Sequence, residues 1–386
     1  MKNGYRKILF SLIGFILIFL AVFTIFVLLE IVASCFVSLP NANLRNDFRL
    51  NHTWRFNSSF THNEWTRNEP QYKPYTHRYN KQGWIGFHDV AGKKPDNIFR
   101  IFYVGDSFVE GTVPMDGSVP AIVEKYLNGQ ENKGIKFEVI NTGTSSYSPV
   151  LYYILIRYYI SRYSPDLIVV CVDMTDVFDD WKYRQTMIVD SEGDPWAVLP
   201  GDIYRRPYVD TGDRCVKSGL WSRAKVFLFA NSYLFNIFYR PGRSADKNDI
   251  TDSSYSRWAW CSDPWDAKTE KQVNFSMDIL ARIASYCRQN NVKLLLTGVP
   301  YYQQLVSGPN GKPAWSIRPH QEIEKVALKN GAVYFDSVSF MEPFVKGTAQ
   351  TVYYYKNNTH FNPQGYKIWS QAHIKALTDN LRKGER

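Results

Sequence analysis

The sequence lacks the features that would mark several common protein classes. Its 386 residues include five cysteines, none in a Cys-x-x-Cys pair or at metal-ligand spacing. That removes the zinc-ribbon and dithiol-redox readings. It has no run of five or six like charges, because the net charge of +10 is scattered along the chain. Nucleic-acid binding would need basic residues gathered on one arm or face. Scattered positive charge suits only an anionic polymer or a lipid headgroup surface. Internal repeats and low-complexity tracts are also missing. No cofactor, no metal and no nucleic-acid partner is expected.

Apolar residues are plentiful, at 45% of the chain, which supplies a buried core and excludes disorder. Aromatics reach 16%, including 26 Tyr and 11 Trp, enough for an aromatic-lined groove or a sugar-stacking surface as well as a bulky core. Cys171 lies in a strand-like apolar run and Cys287 in a helical one, as buried thiols do. Cys215 and Cys261 share a loop-rich stretch and are the pair available for a disulfide if that stretch lies outside the cytoplasm.

The N-terminus sets the compartment. Lys2, Arg6 and Lys7 precede an uncharged run from Ile8 to Leu29. At about 1.5 Å per residue this run spans a hydrocarbon core of roughly 30 Å. It is too long for a cleavable signal, so residues 1–37 are read as an uncleaved anchor. The alternative is lipid attachment at Cys35, because Val32-Ala33-Ser34-Cys35 resembles a lipoprotein box. Positive residues before the span place the N-terminus inside, against the weaker counter-signal of Arg45, Arg49 and Arg55. The rest of the chain is then extracytoplasmic.

Residues 38–95 show little regular periodicity and read as a membrane-proximal lead-in. From residue 96 strands alternate with helices. Strands are expected at 98–104, 137–140, 167–172, 292–297 and 332–335, and helices at 118–128, 149–162, 271–289, 318–329 and 363–381. Residues 179–265 interrupt the alternation with six tryptophans and one helical stretch near 224–239, and are read as an inserted cap. The alternation predicts an α/β fold with a parallel sheet covered on both faces, and a site at the carboxyl ends of its strands.

Two residues carry the chemistry. Gly105-Asp106-Ser107-Phe108 follows the first strand directly, which would project the Ser107 hydroxyl into the cleft. Far away, Asn357-Asn358-Thr359-His360-Phe361-Asn362-Pro363 sets a histidine in a loop just before the last helix. A nucleophilic serine needs a base within hydrogen-bond reach, and a wound sheet brings such distant loops together.

With these blocks in order the chain resembles the SGNH/GDSL hydrolase superfamily, in particular its membrane-anchored bacterial branch with GDSF. The resemblance runs from Asn80–Gly83 with Trp84, through residues 105–108, Asn141–Tyr147, Pro165-Asp166 and Asp173–Asp176, to Asn357–His360. It implies a three-layer α/β/α, flavodoxin-like domain with Ser107 as nucleophile and His360 as general base. It also implies an oxyanion hole drawn from the Ser107 amide with Gly143, Ser146 and Thr175. The family's acid falls at Asn357 or Asn358, and Asp336 is the substitute carboxylate on offer. Asp179 and Asp180 are read as surface acids, with a place lining the cleft as the alternative.

The function implied is a serine-dependent acyl ester hydrolase or O-acyltransferase working on an extracytoplasmic polysaccharide or glycoconjugate. The alternative is a catalytically inactive glycan-binding or polysaccharide-assembly subunit.

Overall fold

A computed structural model describes residues 2–36, 45–46, 49–50, 53–54, 58–62, 69, 71–131, 134–198, 216–217, 219–238, 257–308, 313–356 and 358–383. In chain order the elements that matter are α1 (Lys2–Ser34), β1 (Ser58–His62), β2 (Tyr75–Tyr79), β3 (Ile98–Val104), α2 (Ser107–Glu110) and α3 (Val119–Asn128). They continue with β4 (Lys136–Asn141), α4 (Pro149–Tyr158), β5 (Leu167–Val172), α5 (Asp176–Arg184), β6 (Met187–Val189) and β7 (Pro195–Val198). The last are α6 (Leu220–Asn231), α7 (Tyr233–Phe238), α8 (Ala267–Gln289), β8 (Lys293–Gly298), α9 (Tyr302–Leu305), α10 (Arg318–Lys329), β9 (Val333–Tyr334), α11 (Ser337–Val345) and α12 (Pro363–Lys383).

The central sheet has five strands in the order β9-β8-β5-β3-β4, every pairing parallel. Winding reverses between β3 and β5, the strand order of flavodoxin-like sheets, so the crevice for chemistry opens where those two strands end. Ser107 follows β3 and Asp173 follows β5. All six side chains of β5 are buried, as a central parallel strand with helices on both faces requires. Each fully buried Val or Ile there contributes about 1.5–3 kcal/mol of hydrophobic stabilisation.

Element boundaries shift where local capping decides them. The helix expected from residue 271 begins at Ala267, because the Asp266 carboxylate accepts the Thr269 amide at 2.7 Å. The helix expected over 149–162 ends at Tyr158 and continues as a 3₁₀ turn over Ile160–Tyr163. The outermost strand β9 has only two residues.

The lead-in is more structured than its sequence suggests. β1 and β2 form an antiparallel hairpin. The Asn80 carboxamide oxygen then accepts the Gln82 and Trp84 amides, both at 3.0 Å, to make a tight turn. That turn drives Trp84 into the core, edge-on to Phe102 and Tyr163. Ile85 bridges to Asn141 at the end of β4, so the lead-in extends the sheet edge.

In the stretch read as an insertion, β6 and β7 pair antiparallel, α7 lies against α1, and α6 packs on α7. The α7 end of it meets α1 through Glu30, whose carboxylate accepts the Tyr233 and Leu234 amides at 2.8 and 3.1 Å. The final part, Trp260 and Cys261, is buried in the main core. Cys261 is a free buried thiol there, not half of a disulfide, and Cys215 lies outside the described residues. α1 holds the one helix segment among the described residues, Phe10–Ser34, long and apolar enough to cross a membrane.

Candidate active site

Gly105, directly after β3, has no room for a side chain. A Cβ there would lie 2.3 Å from Val109 Cγ2 and 3.2 Å from the Cys171 carbonyl oxygen. The chain turns at once into α2, capped by Asp106, whose Oδ1 accepts the Phe108 amide at 2.9 Å. Ser107 is the first residue of that helix. Its amide is one of those with no intrahelical acceptor, and its hydroxyl points into the crevice.

α12 delivers the partner. Asn362 caps the helix, accepting the Gln364 and Gly365 amides at 2.9 and 3.1 Å, while its own amide group bonds to the Thr351 and Tyr354 carbonyls. Tyr366 donates to the Phe108 carbonyl at 3.0 Å, and the Thr112 hydroxyl to the Phe361 carbonyl at 3.0 Å. These ties fasten the histidine loop to α2. Across 253 residues, the Ser107 Oγ stands 2.7 Å from His360 Nε2.

The far side of the imidazole fixes its proton. His360 Nδ1 is 2.7 Å from Asn358 Oδ1, which also accepts the His360 backbone amide at 3.1 Å. An oxygen accepting a backbone N–H is an acceptor, so Nδ1 carries the hydrogen and Nε2 presents a lone pair to the serine. The orienting amide is therefore Asn358. Asn357, the other candidate, lies outside the described residues. Asp336 does not take the role, because it caps α11 through the Ser339 amide at 3.0 Å and the Ser339 hydroxyl.

The imidazole lies flat on Phe108, centroids 4.5 Å apart and planes 11° from parallel. Burial, and then the nearby positive charge of Arg257, push its pKa down to about 3. His360 is thus neutral and ready to accept a proton at ordinary pH. An Asn partner gives the resulting imidazolium no charge stabilisation.

Asp106 is the second contact of the nucleophile, its Oδ2 3.0 Å from Ser107 Oγ. One hydroxyl proton cannot serve both Asp106 and His360. Burial, then the charge of Asp173, hold the Asp106 carboxyl well above the usual carboxylate range. A protonated Asp106 can donate to Oγ while the serine proton turns to Nε2.

The oxyanion donors divide. Thr175 directs its hydroxyl at 2.5 Å and its amide at 3.2 Å to Asp173, so neither faces the crevice as the resemblance implied. The Gly143 amide goes to Asn141 Oδ1 at 2.9 Å. Gly143 serves close packing instead, since a Cβ there would sit 2.1 Å from the Glu110 amide nitrogen. Ser146 takes a left-handed turn, φ 63°, with its carbonyl held by Tyr183 at 2.7 Å. The Ser107 amide and the Ser146 turn remain as the implied donors.

Asp179 and Asp180 are fully buried, not cleft-lining. Asp180 holds the Ser148 hydroxyl and the Val150 amide at 2.5 and 2.9 Å, and Asp179 pairs with Arg257 at 3.3 Å. Sequence reasoning missed Arg257, which enters from the far end of the insertion. It also missed the aromatic wall beside it. Ring centroids run from Phe108 to Tyr301 at 5.7 Å, on to Trp315 at 5.9 Å, and on to Trp258 at 5.6 Å. Trp258 and Trp315 are both half-buried.

No protein-family model and no curated protein sequence matches the chain. Among solved structures it is similar to Axe2, an acetylxylan esterase from Geobacillus stearothermophilus, at 10% identity and TM-score 0.42, over 72% of this chain and 94% of that one. It is similar to a putative lipolytic protein of the G-D-S-L family from Desulfitobacterium hafniense, at 10% identity and TM-score 0.37, over 72% and 98%. It is also similar to LAE5, an α/β hydrolase enzyme from the metagenome of Lake Arreo, at 12% identity and TM-score 0.38, over 72% and 94%.

Proposed function

We propose that the protein is a membrane-tethered serine esterase or O-acyltransferase that handles acyl esters of an extracytoplasmic carbohydrate. The observation that carries the reading is the 2.7 Å contact between Ser107 Oγ and a His360 Nε2 whose tautomer makes it an acceptor. In that arrangement Oγ attacks the acyl carbonyl and its proton passes to Nε2. The oxyanion forms at the Ser107 amide. Collapse breaks the ester bond, the alcohol leaves with the proton from Nε2, and the acyl group stays on Ser107. Water then regenerates the serine as a hydrolase, or a sugar hydroxyl takes the acyl group.

The carbohydrate assignment rests on half-buried Trp258 and Trp315, joined to Phe108 through Tyr301, flat apolar faces of the kind sugar rings stack on. The tether rests on α1, whose apolar side chains from Phe10 to Val32 are exposed. Lipid attachment at the exposed Cys35 is the other route to the same surface.

The test is release of acetate from an acetylated oligosaccharide by the full-length protein in detergent. Activity lost in Ser107→Ala supports the esterase. Acetate release unchanged in that variant rejects it. The second reading, an inactive glycan-binding subunit, is favoured by one observation, that Asn358 stands where an ionised partner would stabilise imidazolium. Oligosaccharide binding without any turnover would establish it.

A further inference from the structure

The hairpin β1–β2 presents an unusual face to the nucleophile helix. His62 pairs opposite Tyr75, and Phe60 opposite His77, so positions 60, 62, 75, 77 and 79 share one side. Along β2 the alternation is strict, with Tyr75, His77 and Tyr79 buried and Thr76 and Arg78 exposed. A strand that only filled a core would place aliphatic side chains there. The hairpin instead places His62 of β1 and His77 of β2 over Glu110, the last residue of α2.

One ring nitrogen from each of His62 and His77 and a carboxylate oxygen of Glu110 lie within 4.8 Å of one another, and all three residues are buried. The two imidazole centroids are 4.6 Å apart, with planes inclined by 58°. Rings sharing one tetrahedral ion at about 2.0–2.1 Å per nitrogen bring their centroids to roughly 5 Å.

The surroundings already orient these groups. His77 Nε2 bonds to the Val113 carbonyl at 3.0 Å, so that nitrogen carries the hydrogen and Nδ1 is left as the donor atom. A ligating histidine fixed by a carbonyl on its other nitrogen is the usual arrangement around a metal. Glu110 Oε2 is held by the Ser145 amide and hydroxyl at 2.8 and 2.6 Å, and Oε1 by Tyr79 OH alone at 3.1 Å, which leaves Oε1 a lone pair. Two other clusters among the described residues lack this donor set. Asp190, Glu192 and Asp194 are neutralised by Arg157 and Arg282, and Asp106, Asp173 and Asp176 offer oxygen only.

We propose that His62, His77 and Glu110 bind one divalent transition-metal ion, zinc by donor chemistry, which clamps the hairpin onto the helix that carries Ser107. Two neutral imidazoles and one carboxylate form a ligand set that zinc uses. Because the site is buried, its role is structural. Glu110 stands three residues after the nucleophile and also holds Ser145 of the 141–147 loop. The ion therefore fixes α2 and that loop together, and part of its binding free energy becomes folding free energy.

The test is cobalt titration of the full-length protein in detergent after chelator treatment. One equivalent is expected to bind, with the intense visible bands of a low-coordinate ion, and zinc should displace it. His62→Ala and His77→Ala should abolish those bands. Tyr79→Phe, which removes the hydroxyl that donates to Glu110, should fold normally and weaken cobalt binding on the order of tenfold. No bands in the wild type would overturn the proposal. So would bands that survive both histidine variants, or unaltered affinity in Tyr79→Phe.

Discussion

His360 rests face to face on Phe108, the residue that follows the nucleophile, with ring centroids 4.5 Å apart and planes 11° from parallel. The shelf for the base is thus built into the same short helix that presents Ser107. That stacking, with the Thr112–Phe361 and Tyr366–Phe108 hydrogen bonds, holds Ser107 and His360 at their 2.7 Å contact. The same stacking removes the imidazole from water, the largest cause of its depressed pKa.

That depression predicts an unusual pH profile. With the folded-state pKa pushed from 6.5 down to about 3, the base stays neutral across mildly acid conditions. The acid limb of kcat/KM, which reports the free enzyme's base, should therefore fall well below pH 6.5. Between those two values an unfolded chain binds a proton at this histidine and the folded chain does not. This group's contribution to stability consequently declines as pH falls through that window. A kcat/KM profile measured from pH 4 to 8 checks it, and an acid limb near 6.5 would contradict it.

Asn358→Asp restores an ionised partner to Nδ1. A carboxylate at that 2.7 Å contact should raise the His360 pKa by about 1–3 units and stabilise imidazolium during proton transfer. Turnover is expected to rise by about tenfold or more, with the acid limb moving to higher pH. Parallel pH–rate curves for wild type and variant decide the matter.

Asp106→Asn separates two roles for the carboxyl beside the nucleophile. If Asp106 works protonated, as its burial and its contact with Ser107 argue, an amide replaces it with only a few-fold loss of turnover. An ionised Asp106 serving as surrogate triad acid would lose on the order of 10⁴ on the same change. Asp106→Ala should in addition cost about 1 kcal/mol through loss of the helix cap. Steady-state kinetics and thermal melts of both variants read the two effects separately.

Gly143→Ala tests the loop behind the site. Its methyl would enter at 2.1 Å from the Glu110 amide nitrogen, a backbone atom with little room to yield. Overpacking of this kind costs about 1–3 kcal/mol. It should also displace α2, so both the melting temperature and turnover are expected to fall.

The dyad was legible in the sequence for local reasons. A glycine between an apolar strand and Asp106 forces a strand-end turn, and Asn362-Pro363 marks a helix start directly after His360. The parallel sheet was legible too, because β5 reads as an unbroken apolar run. The orienting amide was not, since Asn357 and Asn358 are adjacent and only coordinates show which one reaches Nδ1. Thr175 reads as a donor until its hydroxyl is found on Asp173, two residues upstream. Arg257 comes from a stretch with no periodicity, and His62, His77 and Glu110 are too scattered along the chain to form a motif. Their meeting depends on the register of a hairpin whose strands gave no strong alternating signal.

Activation of Ser107 as a nucleophile by His360 is read out by fluorophosphonate labelling of the full-length protein with the adduct located by peptide mass spectrometry. One adduct, on Ser107, is expected in the wild type, with loss of labelling in His360→Ala. Absence of any adduct, an adduct on another residue, or Ser107 labelling that is undiminished without His360 would contradict it.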